Sequence, residues 1–220
     1  METTALINTQ DDFLKALLSG NRREGSEIIR QFVENKYSIP ELYESVIKNS
    51  LYQVGELWEY NKITVADEHV ATAVTESLLN ELYQQIISGK RTGKKVVVAC
   101  AENETHQVGI KMVADIFEMN GWDAFFLGAN VPTGELIKYI HQVQPQVVAL
   151  SVSIYFHIPV LEKMITEIRK EFPELKILVG GQAFKHGGEE IFKKYQDVLY
   201  LPDLHSIELF IKKLNENDKN

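Results

Sequence analysis

Five short, almost uninterrupted apolar runs, "KVVVACA", "DAFFLG", "VVALSVS", "KILVGG" and "DVLYL", follow one another between Lys95 and Leu201. A run that is apolar at nearly every position is buried on both faces. That occurs in a parallel sheet covered by helices rather than in an antiparallel sheet with one solvated face. The intervening stretches read as amphipathic helices at about 107–120, 133–143, 158–172, 187–195 and 204–216. Strands and helices in strict alternation, joined by right-handed crossovers, predict a flavodoxin-like, Rossmann-like five-stranded parallel sheet with flanking helices.

Ahead of "GKRTGKK", which contains no apolar residue, the period is different. "TQDDFLKALLSG" carries Phe13, Leu14, Leu17 and Leu18 at helical spacing and stops at Gly20, and "EGSEIIRQFVENKY" supplies a second helix. A third opens at "SIPE", where Ser38 can cap, Glu41 can reach back and Pro40 fits the first turn, and it runs to about Trp58. A fourth spans "TVADEH" to Ser88, with Val70, Ala73, Val74, Leu78, Leu79 and Leu82 as its apolar stripe. The expectation is an α + α/β chain: a four-helix bundle over residues 1–90, then the sheet domain over 91–220, with "NENDKN" as a solvated tail.

Charge and cysteine usage narrow the function. With 31 acids against 23 bases the chain carries a net charge of −8, which argues against direct nucleic-acid binding. The single cysteine, Cys100, excludes a disulfide framework and any CxxC zinc site and suits a reducing compartment. No stretch has the length of a membrane span, and the N-terminus lacks the basic start and apolar run of a signal peptide, so a cytoplasmic protein without membrane contact is expected. No GxGxxG follows the first strand, no P-loop occurs, and "SVSIY" lacks the acid that a phosphorylated receiver would want. No nucleophile stands beside a base, so no catalytic residue is assigned and the chain reads as a non-enzyme.

In an open parallel sheet, ligands bind beyond the carboxyl ends of the strands. There the sequence places Glu104, His106 and Gly109 after the first strand, Ser151 and Ser153 at the end of the third, and Gly180 and Gly181 after the fourth. A carboxylate that accepts the N–H of one imidazole nitrogen leaves the other as a lone pair for a metal. Gly109 would let a bulky ligand approach the helix start, two serines at i and i+2 would put two hydroxyls on one side of a pocket, and the glycine pair would let backbone lie against a ligand. Taken alone, Glu104 and His106 fit a capped helix start, and the glycine pair fits a turn.

Together these segments resemble the cobalamin (B12)-binding domain, whose usual pattern is DxHxxG, then SxL or SxT, then GG; here it reads "ETHQVG", "SVS" and "GG". The resemblance implies that His106 is the lower axial ligand of cobalt, replacing the cofactor's own base. It makes Glu104 the partner of His106, and Gly109, Ser151, Ser153, Gly180 and Gly181 the lining of the nucleotide-tail pocket. Glu104 stands where Asp is commoner, and Ser153 where Leu or Thr is usual. "WEYNKITVADEH" adds a Wx9EH signature at Trp58, Glu68 and His69 that resembles the B12-dependent photoreceptors of the CarH/LitR type. That likeness implies a helical bundle over the cofactor's upper face, with the Trp and the Glu–His pair beside an adenosyl group. The winged-helix domain of those regulators is not expected here, and Glu59 stands where they can carry a second cobalt-binding histidine. The implied function is a stand-alone light sensor that binds adenosylcobalamin and signals through self-association or a separate regulatory protein. A bilin as second chromophore has no specific residue behind it, and Cys100 is expected in the core. A corrinoid protein that carries methyl groups between methyltransferases is the alternative.

Overall fold

The structure, a computed structural model, describes residues 2–87, 89–188, 190–195 and 197–217, and the chain divides into two compact units, Met1–Ile86 and Ile87–Asn220. The first unit is helical: α1 (Glu2–Leu18), α2 (Arg22–Glu34), the single turn α3 (Ile39–Glu41), a π-helical stretch Leu42–Ile47, α4 (Lys48–Glu59), α5 (Val65–Glu81) and the short α6 (Tyr83–Ile86). α1 is its hub and packs on α2, α4 and α5, with Phe13, Ala16 and Leu17 fully buried. α1 begins at Glu2 rather than near Thr9: "TQDD" looks like a cap, but the helix runs through it.

Caps set the other starts. Asn21 accepts the N–H of Glu24, and Ser38 accepts that of Glu41, with Pro40 in the first turn. Thr64 and Asp67 form a reciprocal capping box ahead of α5. The expected single helix from Ser38 to Trp58 is interrupted by the π-helical stretch, whose Leu42, Tyr43, Val46 and Ile47 are all buried. Apolar spacing reads the same through such a bulge, so the bulge leaves no mark in the sequence pattern. The stripe expected on α5 is shifted. Val70 and Ala73 are exposed, and Ala71 and Thr75 are buried instead, completing the positions 71, 74, 75, 78, 79 and 82. Thr75 is tolerated there because its hydroxyl donates to the Ala71 carbonyl at 2.9 Å. The α5 helix closes at Leu82, and its expected end at Ser88 lies outside the described residues.

The second unit runs β1 (Lys95–Cys100), α7 (Val108–Met119), β2 (Asp123–Gly128), α8 (Thr133–Val143), β3 (Val147–Ser151), α9 (Ile158–Glu171), β4 (Lys176–Gly180), α10 (Glu190–Lys194), β5 (Val198–Tyr200) and α11 (Leu204–Asn217). All four strand pairings are parallel, in the order β2-β1-β3-β4-β5. β1 and β3 are the buried centre, whereas β2 is an edge strand that leaves Phe126 partly exposed despite its apolar sequence. α10 starts later than the expected residue 187 because Gly187 and Gly188 take φ +130° and +97°, which a right-handed helix does not contain. Of the expected tail, residues 215–217 instead continue α11, and residues 218–220 lie outside the described residues. Trp122, fully buried, packs edge-on to Phe117 and donates its indole N–H to Asn215 at 2.9 Å, which fastens α11 to α7. "GKRTGKK" is not a loose connection: Arg91 pairs with Glu118 and Asp123 and donates to the Trp122 carbonyl. Among the described residues no helix is long and apolar enough to cross a membrane.

Gly181, just past β4, has φ +114° and ψ 168°, a combination open only to glycine, and a Cβ there would lie 2.1 Å from the Val152 carbonyl oxygen. Gly181→Ala should therefore destabilise the chain by at least about 2 kcal/mol, measured by urea unfolding, because backbone strain and overpacking act together.

Candidate functional site

In the order β2-β1-β3-β4-β5 the chain reverses its winding between β1 and β3, so a crevice opens at their carboxyl ends. Cys100 and Ser151 are register partners at those ends. From there the chain turns through Asn103, at φ +69°, and delivers the Glu104 side chain, fully buried, into the crevice. Its carboxylate accepts six N–H groups, divided by oxygen. Oε1 takes the backbone of Thr105 (2.9 Å), the backbone of His106 (3.1 Å) and the Nδ1–H of the His106 ring. Oε2 takes the backbone of Ser153 (2.8 Å), the backbone of Ile154 (3.0 Å) and Nδ1 of His157 at 3.4 Å.

Burial alone would push this carboxyl's pKa up, but the hydrogen bonds from the His106 ring and from the backbone of Ile154, His106 and Ser153 outweigh it and hold Glu104 well below the ordinary carboxylate range. An ionised carboxylate only accepts, so the bonded Nδ1 of His106 carries the proton, and Nε2 is the nitrogen with a lone pair in the neutral ring. The His106 side chain is 51% exposed while its partner is fully buried. It therefore sits at the surface on a fixed mount.

The loop that carries it is tied down on several sides. Glu102 caps α8 by accepting from the backbone and hydroxyl of Thr133 (3.2 and 2.7 Å). Asn103 N–H donates to the Asn130 side chain, and Asn130 N–H returns a bond to the Glu104 carbonyl. From below, Cys100 Sγ lies 3.5 Å from the His106 carbonyl and accepts the Ser151 hydroxyl at 3.6 Å.

The other expected residues take more varied places. Gly109 lies in the first turn of α7, and nothing stands within 4 Å of where its Cβ would be. The N-cap of α7 is Gln107, so Glu104 is not the helix cap that its position permits. Ser151 is buried with its hydroxyl turned to Cys100, and Ser153 contributes its backbone N–H to Glu104, so the two are not an equivalent pair of hydroxyls. The missing side chain at Gly181 makes room for Val152 of the same chain, and that at Gly180 faces the Leu201 carbonyl. In the helical unit, Glu68 holds Nδ1 of the exposed His69 at 2.6 Å and accepts from Thr72 at 2.8 Å. Trp58, near the end of α4, is 49% exposed, and Tyr60, Val65 and Val70 are exposed around the same α4–α5 connection. Sequence reasoning missed His157, Glu102, Asn103 and Asn130. None falls at a motif spacing, and each acts through a loop contact that periodicity does not report.

Comparison with known proteins places these features in context. Residues 94–202 match a family model described as B12 binding domain, and residues 9–83 match a second model of the same description. The chain is 29% identical over 142 residues to the HTH-type transcriptional repressor CarH of Myxococcus xanthus, a match that takes in 64% of this chain and 47% of that protein. The chain thus spans about half the length of that relative. It is 22% identical over 145 residues to dimethylamine corrinoid protein 2 of Methanosarcina acetivorans, covering 64% of this chain and 67% of that one. Its fold matches the structure of the Methanosarcina barkeri monomethylamine corrinoid protein with a TM-score of 0.80 at 12% identity, over 94% of this chain and 98% of that one.

The donor set fits such a cofactor. No group of three or more His, Cys, Asp or Glu side chains able to hold a bare metal ion occurs among the described residues. A cobalt already held in a macrocycle needs a single nitrogen from the protein, and the residue that would hold it is His106, whose half-exposed ring stands on buried Glu104. Two outcomes follow. Gly109→Leu should leave apo stability within about 1 kcal/mol of wild type yet weaken cobalamin binding about tenfold, since the added side chain takes space a ligand would use; unchanged affinity in a titration would remove Gly109 from the contact surface. Burial pushes the Cys100 thiol up to about 11, with Ser151 opposing and the Glu104 charge adding to the shift. A chromogenic disulfide at mildly alkaline pH should therefore label no thiol in the native chain and one after denaturation.

Proposed function

Because the chain belongs to the B12-binding-domain proteins, we propose that this cobalamin-binding chain is a light sensor, holding adenosylcobalamin base-off with His106 as lower ligand and signalling through light-driven loss of the upper ligand. The observation that carries the ligand assignment is the ring of His106 fixed by Nδ1 to a buried, ionised carboxylate. Bound adenosylcobalamin supplies a light-labile cobalt–carbon bond. Glu104 keeps the proton on Nδ1 and raises the basicity of Nε2. Gly109, Ser151, Ser153, Gly180 and Gly181 are assigned to the nucleotide-tail pocket, and Trp58, Glu68 and His69 to the upper-ligand side.

Support for light as the input comes from the Wx9EH signature and from the likeness to CarH. The exposure of Trp58, Tyr60, Val65 and Val70 agrees with it, since large apolar side chains left in water mark contact surfaces. The signal would pass through a change in self-association or in contact with a separate regulatory protein, with no direct nucleic-acid binding and no membrane contact. The chain itself is assigned no catalytic residue. A bilin has no specific residue to support it, and buried Cys100, the one cysteine of the sequence, offers no accessible thiol for a covalent link. The relationship to dimethylamine corrinoid protein 2 favours a second reading, a carrier of methyl groups between methyltransferases.

Absorption spectra with adenosylcobalamin, recorded in the dark and after green light, decide between them. For the sensor, the dark spectrum changes irreversibly on illumination. His106→Ala abolishes the His-ligated form, and Trp58→Ala alters the response to light. A stable complex indifferent to light points to methyl carriage, and a chain that binds no corrinoid overturns both readings.

A further inference from the structure

The six donors on Glu104 are sorted by origin as well as by oxygen. Everything bound to Oε1 comes from the loop after β1, and everything bound to Oε2 from the segment after β3. On the Oε2 side, among the described residues, His157 is the one side chain; Ser153 and Ile154 contribute backbone. His157 closes the 3-10 turn Tyr155–His157 immediately before α9, and its ring is largely buried. Rotation of the carboxylate that improved one set of bonds would stretch the other.

We infer that His157 is a positioning residue for His106, acting through Glu104: by holding Oε2 it keeps Oε1 on the His106 ring and so fixes the tautomer and orientation of the imidazole. The carboxylate accepts on both sides, so the bonded Nδ1 of His157 is also the protonated nitrogen. Between the Ile154 and His157 contacts lie Tyr155, exposed, and Phe156, 85% exposed. Ile154 donates its N–H to Glu104, and the Tyr155 ring rests against Gly187 of the segment after β4. A displacement of residues 154–157 therefore alters the Oε2 contacts and reaches His106 through one side chain. The extension to cobalt rests on the reading of His106 as the lower ligand; the statement about the imidazole does not.

The experiment has two arms. In the first, long-range 1H–15N correlation spectra of the apo chain, recorded where histidines are neutral, report the tautomer of His106. Wild type is expected to be dominated by the Nδ1–H form. His157→Ala and His157→Met, which lack a donor, should shift it towards a mixture, in the direction of Glu104→Gln; His157→Asn, which keeps an N–H at the position of Nδ1, should restore it. In the second arm, titration with hydroxocobalamin should show the donor-less variants binding about tenfold more weakly, with a larger base-off, His-off fraction in the absorption spectrum. A His106 tautomer population that matches wild type in both donor-less variants overturns the inference, as does a loss that His157→Asn fails to rescue. Failure of wild type itself to bind cobalamin defeats the lower-ligand reading, while the first arm still decides the role of His157.

Discussion

A single buried charge holds the carboxyl end of the sheet together. Placing a carboxylate in a protein interior costs several kcal/mol, and it is retained only where enough donors converge on it; each hydrogen bond to a charge contributes about 1.5–3 kcal/mol. Glu104 has six, three from each side of the β1–β3 crevice. The consequence is mechanical as well as electrostatic. The segments after β1 and β3 part where the winding of the sheet reverses, and the Glu104 side chain ties them together there.

That connection makes the site preorganised. The loop from Ala101 to Gln107 is anchored through Glu102 to α8, through Asn103 to Asn130, through Glu104 to the segment after β3, and through Cys100 from beneath. Ordering a loop when a ligand arrives consumes binding free energy; a loop already ordered spares that cost. The imidazole is left half-exposed on a rigid mount, the arrangement a single-nitrogen ligand to a large planar cofactor requires.

The sheet domain was legible because its signal is redundant. Each strand is an apolar run of the right length, and each connection carries its own helical period; β2 matches its expected limits at Asp123 and Gly128. The bundle was less so. Val70 and Leu82 are equally apolar in sequence, but only Leu82 is buried, because the facing helices and not the residue decide which side of α5 is inside. The π-helical stretch at Leu42–Ile47 leaves no mark on the apolar pattern. At the site, "ETHQVG" could be read as a helix start or as a ligand set, and the difference lay in where the Glu104 carboxylate points. Its Oε2 partners are two backbone N–H groups and a histidine about fifty residues downstream, and neither backbone amides nor a long-range ring contact writes itself into a motif.

The same geometry accounts for glutamate where the related pattern commonly has aspartate. The bonds to Oε1 are local, and residues adjacent in sequence can meet a short side chain by small changes in the turn. The bonds to Oε2 are not local: Ser153 and Ile154 are held by the end of β3, whose distance from β1 is set by the sheet. One methylene extends reach by about 1.5 Å, comparable with the whole range over which an N–H···O bond goes from good to negligible. Shortening residue 104 would therefore surrender the far set of bonds first, leaving a buried charge with half its donors and the His106 mount without its second support. The glutamate and the donors after β3 are two halves of one fitted contact.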